Sequence, residues 1–127
     1  MSLTTYQYDG SVTYYDASAT ATPETATTTA SALLLGIEVD NRGNADDVYL
    51  KIYDSEAPTV GTTVPVIVVK CPGGSRRKQI YGGADGAAGG GYVFSAGISF
   101  ACVTDPGTAG TTSPTNAVPV TLIADEP

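Results

Sequence analysis

Residues 48–70, VYLKIYDSEAPTVGTTVPVIVVK, constrain the fold more than any other stretch of the chain. On the first arm Val48, Leu50 and Ile52 alternate with Tyr49, Lys51 and Tyr53. On the second, Val64, Val66 and Val68 share a side. β-Branched and aromatic residues at period two mark strands with one buried face, so this stretch predicts a β-hairpin. Residues 54–61 form the expected link, punctuated by Pro58 and Gly61. Pro65 lies inside the second arm and has no N–H to give a ladder, which places that arm at a sheet edge or a bulge.

The same alternation recurs elsewhere. Leu33, Leu35, Ile37 and Val39 alternate with Leu34, Gly36, Glu38 and Asp40, a strand with one face reaching solvent. Residues 76–81 read as a short strand. Tyr92, Phe94, Ile98, Phe100 and Cys102 continue the pattern around a turn or bulge at Gly97, and Val118, Val120 and Leu122 form the last strand. Near the start Tyr6, Tyr8, Val12 and Tyr14 share parity across the turn dipeptide Asp9-Gly10, giving either a short hairpin or one long bent strand. From 17 to 32 every residue except Pro23 and Glu24 is Ala, Ser or Thr. Thr loses χ1 freedom in helices, so that segment reads as a loop to about residue 25 and extended chain beyond. Residues 82–91, rich in Gly, read as a flexible loop, and 105–117 as a long loop bounded by turn residues. Short strands, turn clusters and no convincing helix predict an all-β fold, an antiparallel β-sandwich with long Gly/Thr/Pro-rich loops. The strand count admits a jelly-roll-like version without fixing the topology. The 127 residues amount to a single domain, with 1–30 as an N-terminal arm or swapped strand segment.

Chemistry is sparse. The net charge of −7 argues against nucleic acid as a partner, since phosphate binding needs clustered Lys and Arg. The absence of histidine removes the usual general base and the commonest metal ligand. Two cysteines and scattered carboxylates make a poor zinc site. Cys71 and Cys102 are expected as free thiols, with Cys102 a small core residue. Asp40, Asn41, Asn44, Asp46 and Asp47 crowd one turn, but Arg42 interrupts a calcium-loop order, so a solvated turn is expected. Nothing positions Asp46 with Asp47, or Asp54 with Glu56, as a hydrolytic pair. The Gly-rich loop lacks the Lys of a phosphate loop. The expectation is therefore a protein that is not an enzyme, with no catalytic residue, cofactor or metal. Apolar runs fall far short of the ~20 residues of a membrane span, and no basic-then-apolar leader is seen, so cytosolic synthesis and no membrane partner are expected. Arg76, Arg77 and Lys78 hold half of the six basic charges. They read either as a solvated edge strand or as a docking patch for an acidic protein surface.

LKIYD from Leu50, PTVGTTVPV from Pro58, FSAGISFACVT from Phe94 and PGTAGTT from Pro106 resemble small virion proteins of tailed phages. The likeness is to β-sandwich capsid decoration (cement) proteins, cyanophage-like ones in particular, and lies mostly within residues 48–122. CPGGSRRKQ from Cys71 and the Gly-rich loop depart from that pattern. The resemblance implies a virion structural protein on the capsid surface, made in a bacterial host. It implies binding to the major capsid protein, often as a homotrimer, and bracing of the head. Other virion roles (neck, tail or fibre-associated module) stay open, as does a carbohydrate-binding or adhesin-like module using Tyr6, Tyr8, Tyr14 or the loops. The expected capsid or subunit contacts are Leu3, Tyr6 and Tyr8, then Arg76, Arg77 and Lys78, then the loop from Pro106 to Thr112.

Overall fold

The computed structural model describes residues 3–8, 11–27, 32–81 and 91–125, and among them all regular structure is β. The strands are β1 (Leu3–Tyr8), β2 (Ser11–Asp16), β3 (Glu24–Thr27), β4 (Ala32–Asp40), β5 (Val48–Asp54), β6 (Ile67–Cys71), β7 (Arg76–Ile80), β8 (Tyr92–Phe94), β9 (Ile98–Val103) and β10 (Val120–Asp125). They form two antiparallel sheets packed as a sandwich. One runs β1-β2-β10-β4-β7, with β8 on β4 beside β7; the other runs β3-β9-β5-β6.

The pairings have a simple origin. β5 pairs with β6, β4 with β7, β3 with β9 and β2 with β10. The first half of the chain thus pairs stepwise with the second, as one long hairpin rolled over, and alternate pairs fall in opposite sheets. This is jelly-roll order, with β1 and β8 added to it. The hairpin of residues 48–70 is the tip of that roll.

The core lies where inner faces meet. Val48, Leu50 and Ile52 of β5, Phe100 and Cys102 of β9, Leu34, Ile37 and Val39 of β4, and Val120, Leu122 and Ala124 of β10 are all buried in one cluster. Burying each of the Val, Leu, Ile and Phe side chains among them stabilises by roughly 1.5–3 kcal/mol.

Several sequence expectations are corrected. β6 begins at Ile67, so the link between the hairpin arms spans residues 55–66, and Val64 is 70% exposed ahead of the strand. Lys51 and Tyr53, expected on an open face, are fully buried. In β4 the inward residues switch from Leu34 to Ile37, because the register with β10 slips between Ile123 and Ala124. The extra residue of this bulge leaves Leu33 and Leu35 half-buried on the other side. In the β1–β2 pair Tyr6 stands opposite Thr13 and Tyr8 opposite Ser11, whereas Val12 and Tyr14 stand opposite Gln7 and Thr5. Tyr6 and Tyr8 are therefore out of register with Val12 and Tyr14. The Gly-rich loop expected over 82–91 lies outside the described residues except for Gly91.

Both long loops close over the outer face of the second sheet. The Lys51 ammonium donates to the carbonyls of Gly107 and Gly110, and Ser99 Oγ donates to Ser55 O at 2.6 Å. The two loops meet where Gly61, at φ 99°, lies against Thr111. At one end of the sandwich Asn41 Nδ2 donates to Asp46 O and Cys71 O, while Asn44 Nδ2 donates to Asn41 Oδ1 and Asn116 O. There Gly73 passes so near the Ala45 carbonyl that a Cβ would overlap it.

Candidate functional site

β7 has β4 as its sole strand neighbour among the described residues, and β6 has only β5. Both strands therefore end their sheets, and their open edges border one groove of about 340 Å³. Ile67, Val69 and Tyr81 line it with apolar surface, and Lys70, Arg77 and Gln79 with polar groups. Tyr81 meets Tyr92 edge-on at 6.4 Å, and Tyr92 lies 5.4 Å from the buried Phe94, so an aromatic row runs from the groove into the core.

The alternation of β7 sends its cations two ways. Arg76, Lys78 and Ile80 pair with Asp40, Glu38 and Gly36, on the outer side of the sheet. Arg77 and Gln79 pair with Val39 and Ile37, on the groove side. All three cations are exposed. Arg76 Nε is 3.6 Å from Glu38 Oε2, and Lys70 Nζ is 3.4 Å from Asp47 Oδ2. Such half-exposed pairs hold their partners loosely. Arg77 Nη1 makes a long bond to Lys70 O at 3.5 Å. Lys78 has no ion pair among the described residues. Ile80, on the same side of β7 as Lys78, is 66% exposed.

Positive charge is thereby confined. Of the six basic residues, Lys51 is buried under its loop and Arg42 is tied to Asp40 at 2.9 Å. The other four, Lys70, Arg76, Arg77 and Lys78, sit on the β6–β7 edge. The triplet was legible in the sequence. Lys70 and Tyr81 were not singled out, although a count of where the remaining cations fall would have added Lys70.

The structure does not bring the three expected contact groups together. β1, with Leu3 half-buried against the core, lies at the far end of the sheet from β7. Four strand spacings separate them, about 19 Å. The side chains of Tyr6 and Tyr8 lie outside the described residues. Pro106 and Thr112 are exposed on the loop covering the second sheet, a third side of the molecule.

The acidic turn is committed to structure. Arg42 donates to both Asp40 oxygens and holds that carboxyl down at about 2. Asp47 accepts from Gly73 N, while the amides of Asn41 and Asn44 join neighbouring loops. No cluster of three metal-ligating side chains occurs among the described residues. Asp54 is engaged as well: burial pushes its carboxyl up, but N–H donation by Ala96 and Ser95 outweighs this and leaves it below the usual range. That carboxylate fixes the turn between β8 and β9, and Glu56 stands apart in solvent.

No protein-family model, no curated protein and no solved structure was found to match the chain.

Proposed function

We propose that this chain is a virion structural protein, a decoration protein that docks on the major capsid shell of a tailed phage and braces it. One observation carries the reading: a chain of net charge −7 gathers four of its six basic residues on the two strands, β6 and β7, that end its sheets and border one groove, with exposed Ile80 on β7 beside Lys78. A bordered patch of cations and apolar side chains suits an acidic protein surface, steering encounter by charge and holding by burial. The rest of the surface is rich in Thr, Ser, Gly and Ala, and the long loops are pinned to the sandwich rather than arranged around a cleft. The sequence resemblance to capsid decoration proteins supports the same reading.

Adding purified protein to undecorated capsids tests it. Co-sedimentation and a higher capsid disruption temperature are expected. Arg76→Glu with Arg77→Glu should weaken binding roughly tenfold or more at moderate salt, because two attractive contacts become repulsive. Absence of co-sedimentation by the unaltered protein sinks the reading, and full binding by the double variant moves the docking surface elsewhere.

A further inference from the structure

The backbone of β7 supplies an inference about partner chemistry, which rests on the docking edge just described. Asn41 N donates to Ser75 O and Tyr81 N donates to Leu35 O, each at 2.9 Å, while Asp40 N turns the other way, to Pro119 O. Alternate residues of a strand direct their N–H and C=O to opposite sides. Ser75, Arg77, Gln79 and Tyr81 therefore direct theirs at β4, and Arg76, Lys78 and Ile80 direct theirs outward. No backbone hydrogen bond to those three occurs among the described residues outside the β4–β7 ladder. This row of donors and acceptors is a template for one more strand.

We propose that an acidic, extended segment of a partner chain adds as a strand along the free edge of β7. Its outward side chains pair with Arg76 and Lys78, and its inward side chains seat in the groove between β7 and β6. Charge selects the occupant. A second β7 would set cation against cation, and like charges placed opposite each other across a strand pair destabilise it. Acidic residues at alternate positions instead meet Arg76 and Lys78 on the outer side, where Lys78, although opposite Glu38, makes no ion pair among the described residues. Between them, apolar side chains reach Ile67, Val69 and Tyr81 in the groove. The preferred sequence thus alternates Asp or Glu with apolar residues. A charged edge of this kind guards against self-pairing and admits a complementary strand through one arrangement.

The test uses a fluorescent ten-residue peptide of alternating glutamate and valine, titrated against the full chain by anisotropy. The controls are the lysine–valine counterpart and a glutamate–valine peptide N-methylated at alternate residues. Saturable binding of the first peptide alone is expected, weakened roughly tenfold by Arg76→Glu with Lys78→Glu. Amide exchange at Arg76, Lys78 and Ile80 should slow on binding, with Arg77 and Gln79 unchanged. Equal binding of the N-methylated peptide would show charge attraction without strand pairing and overturn the proposal. So would unchanged exchange at Lys78 and Ile80, which does not depend on any variant folding. Because no capsid is present, the two readings fail separately. Peptide binding without capsid co-sedimentation overturns decoration alone, and co-sedimentation without peptide binding overturns strand addition alone.

Discussion

Asp16 ends β2 inside the sandwich, fully buried, with Oδ1 accepting from Ser18 N at 2.9 Å and Oδ2 without a partner among the described residues. Burial pushes its carboxyl up, against the opposing pull of the Ser18 N–H. Glu24 is raised too, by burial and then by Asp16. A carboxyl raised above its unfolded value of 3.8 favours the fold in its protonated form. That contribution is complete below pH 3.8 and is lost as pH rises through the folded value. Asp16→Asn, neutral throughout, should therefore gain on the unaltered protein between pH 4 and pH 7. Thermal melts at both pH values check this, and a constant difference would refute it. Nearby, Cys102 is pushed up to about 12 by burial, then by Cys71 and Asp16. Cys71 stands opposite Val48 and Cys102 opposite Leu50, so β5 runs between the two thiols. Two strand spacings, about 9.6 Å, exceed what a disulfide can span. Both thiols are free and buried. Ellman's reagent should find neither in the native protein and both after denaturation; rapid native reaction would contradict this placement.

At the scale of elements, β5 is buried on both faces although its sequence alternates like a strand with one face in water. The reason is Lys51, whose aliphatic stem lies on the sheet while its ammonium meets two loop carbonyls. Burial lowers its affinity for a proton, partly offset by Asp105. Lys51→Met keeps the bulk but leaves Gly107 O and Gly110 O without that donor. A loss of ~1–3 kcal/mol is expected. Faster amide exchange should appear at Thr104 and Gly110, whose N–H groups bond Thr112 O and Gly107 O across the loop. Unchanged stability and exchange would mean the loop is held by other contacts. This latch marks the limit of reading strands from alternation. Residues 33–40 and 48–54 and the Phe100–Cys102 parity were legible, because burial of one face imposes period two. The switch from Leu34 to Ile37 was not, since a bulge is set by the register of the partner strand β10. Nor was the loop roof, because carbonyls from a segment more than fifty residues away can be supplied by any side chains. The Arg76–Lys78 part of the candidate site was visible as a run of charge. Its setting was not, because the groove needs β6 and β7 to end different sheets on the same side.

For the whole molecule, the rolled hairpin dictates an order of assembly. Sequence separation grows outward from the tip, from β5–β6 to β4–β7, β3–β9 and finally β2–β10. Each step closes a larger loop, and closure entropy falls due before the contacts it enables. The fold is dominated by such distant pairings, so folding in milliseconds to seconds or slower is expected. Early structure should then lie at the tip, where β5 and β6 join through residues 55–66. Val69→Ala on β6 and Leu122→Ala on β10 probe the two ends of the sequence, both in the buried cluster. Large-to-small changes there cost up to ~2–5 kcal/mol for leucine and less for valine, enough for kinetic analysis. If the tip forms first, Val69→Ala mainly slows folding, with a φ-value above ~0.5. Leu122→Ala mainly speeds unfolding, with a φ-value below ~0.3. Stopped-flow chevrons of the two variants decide between the orders. A higher value at Leu122 would place the nucleus in the β2–β10–β4 sheet, where the longest loop is closed first, and would remove the hairpin at 48–70 from its role in starting the fold.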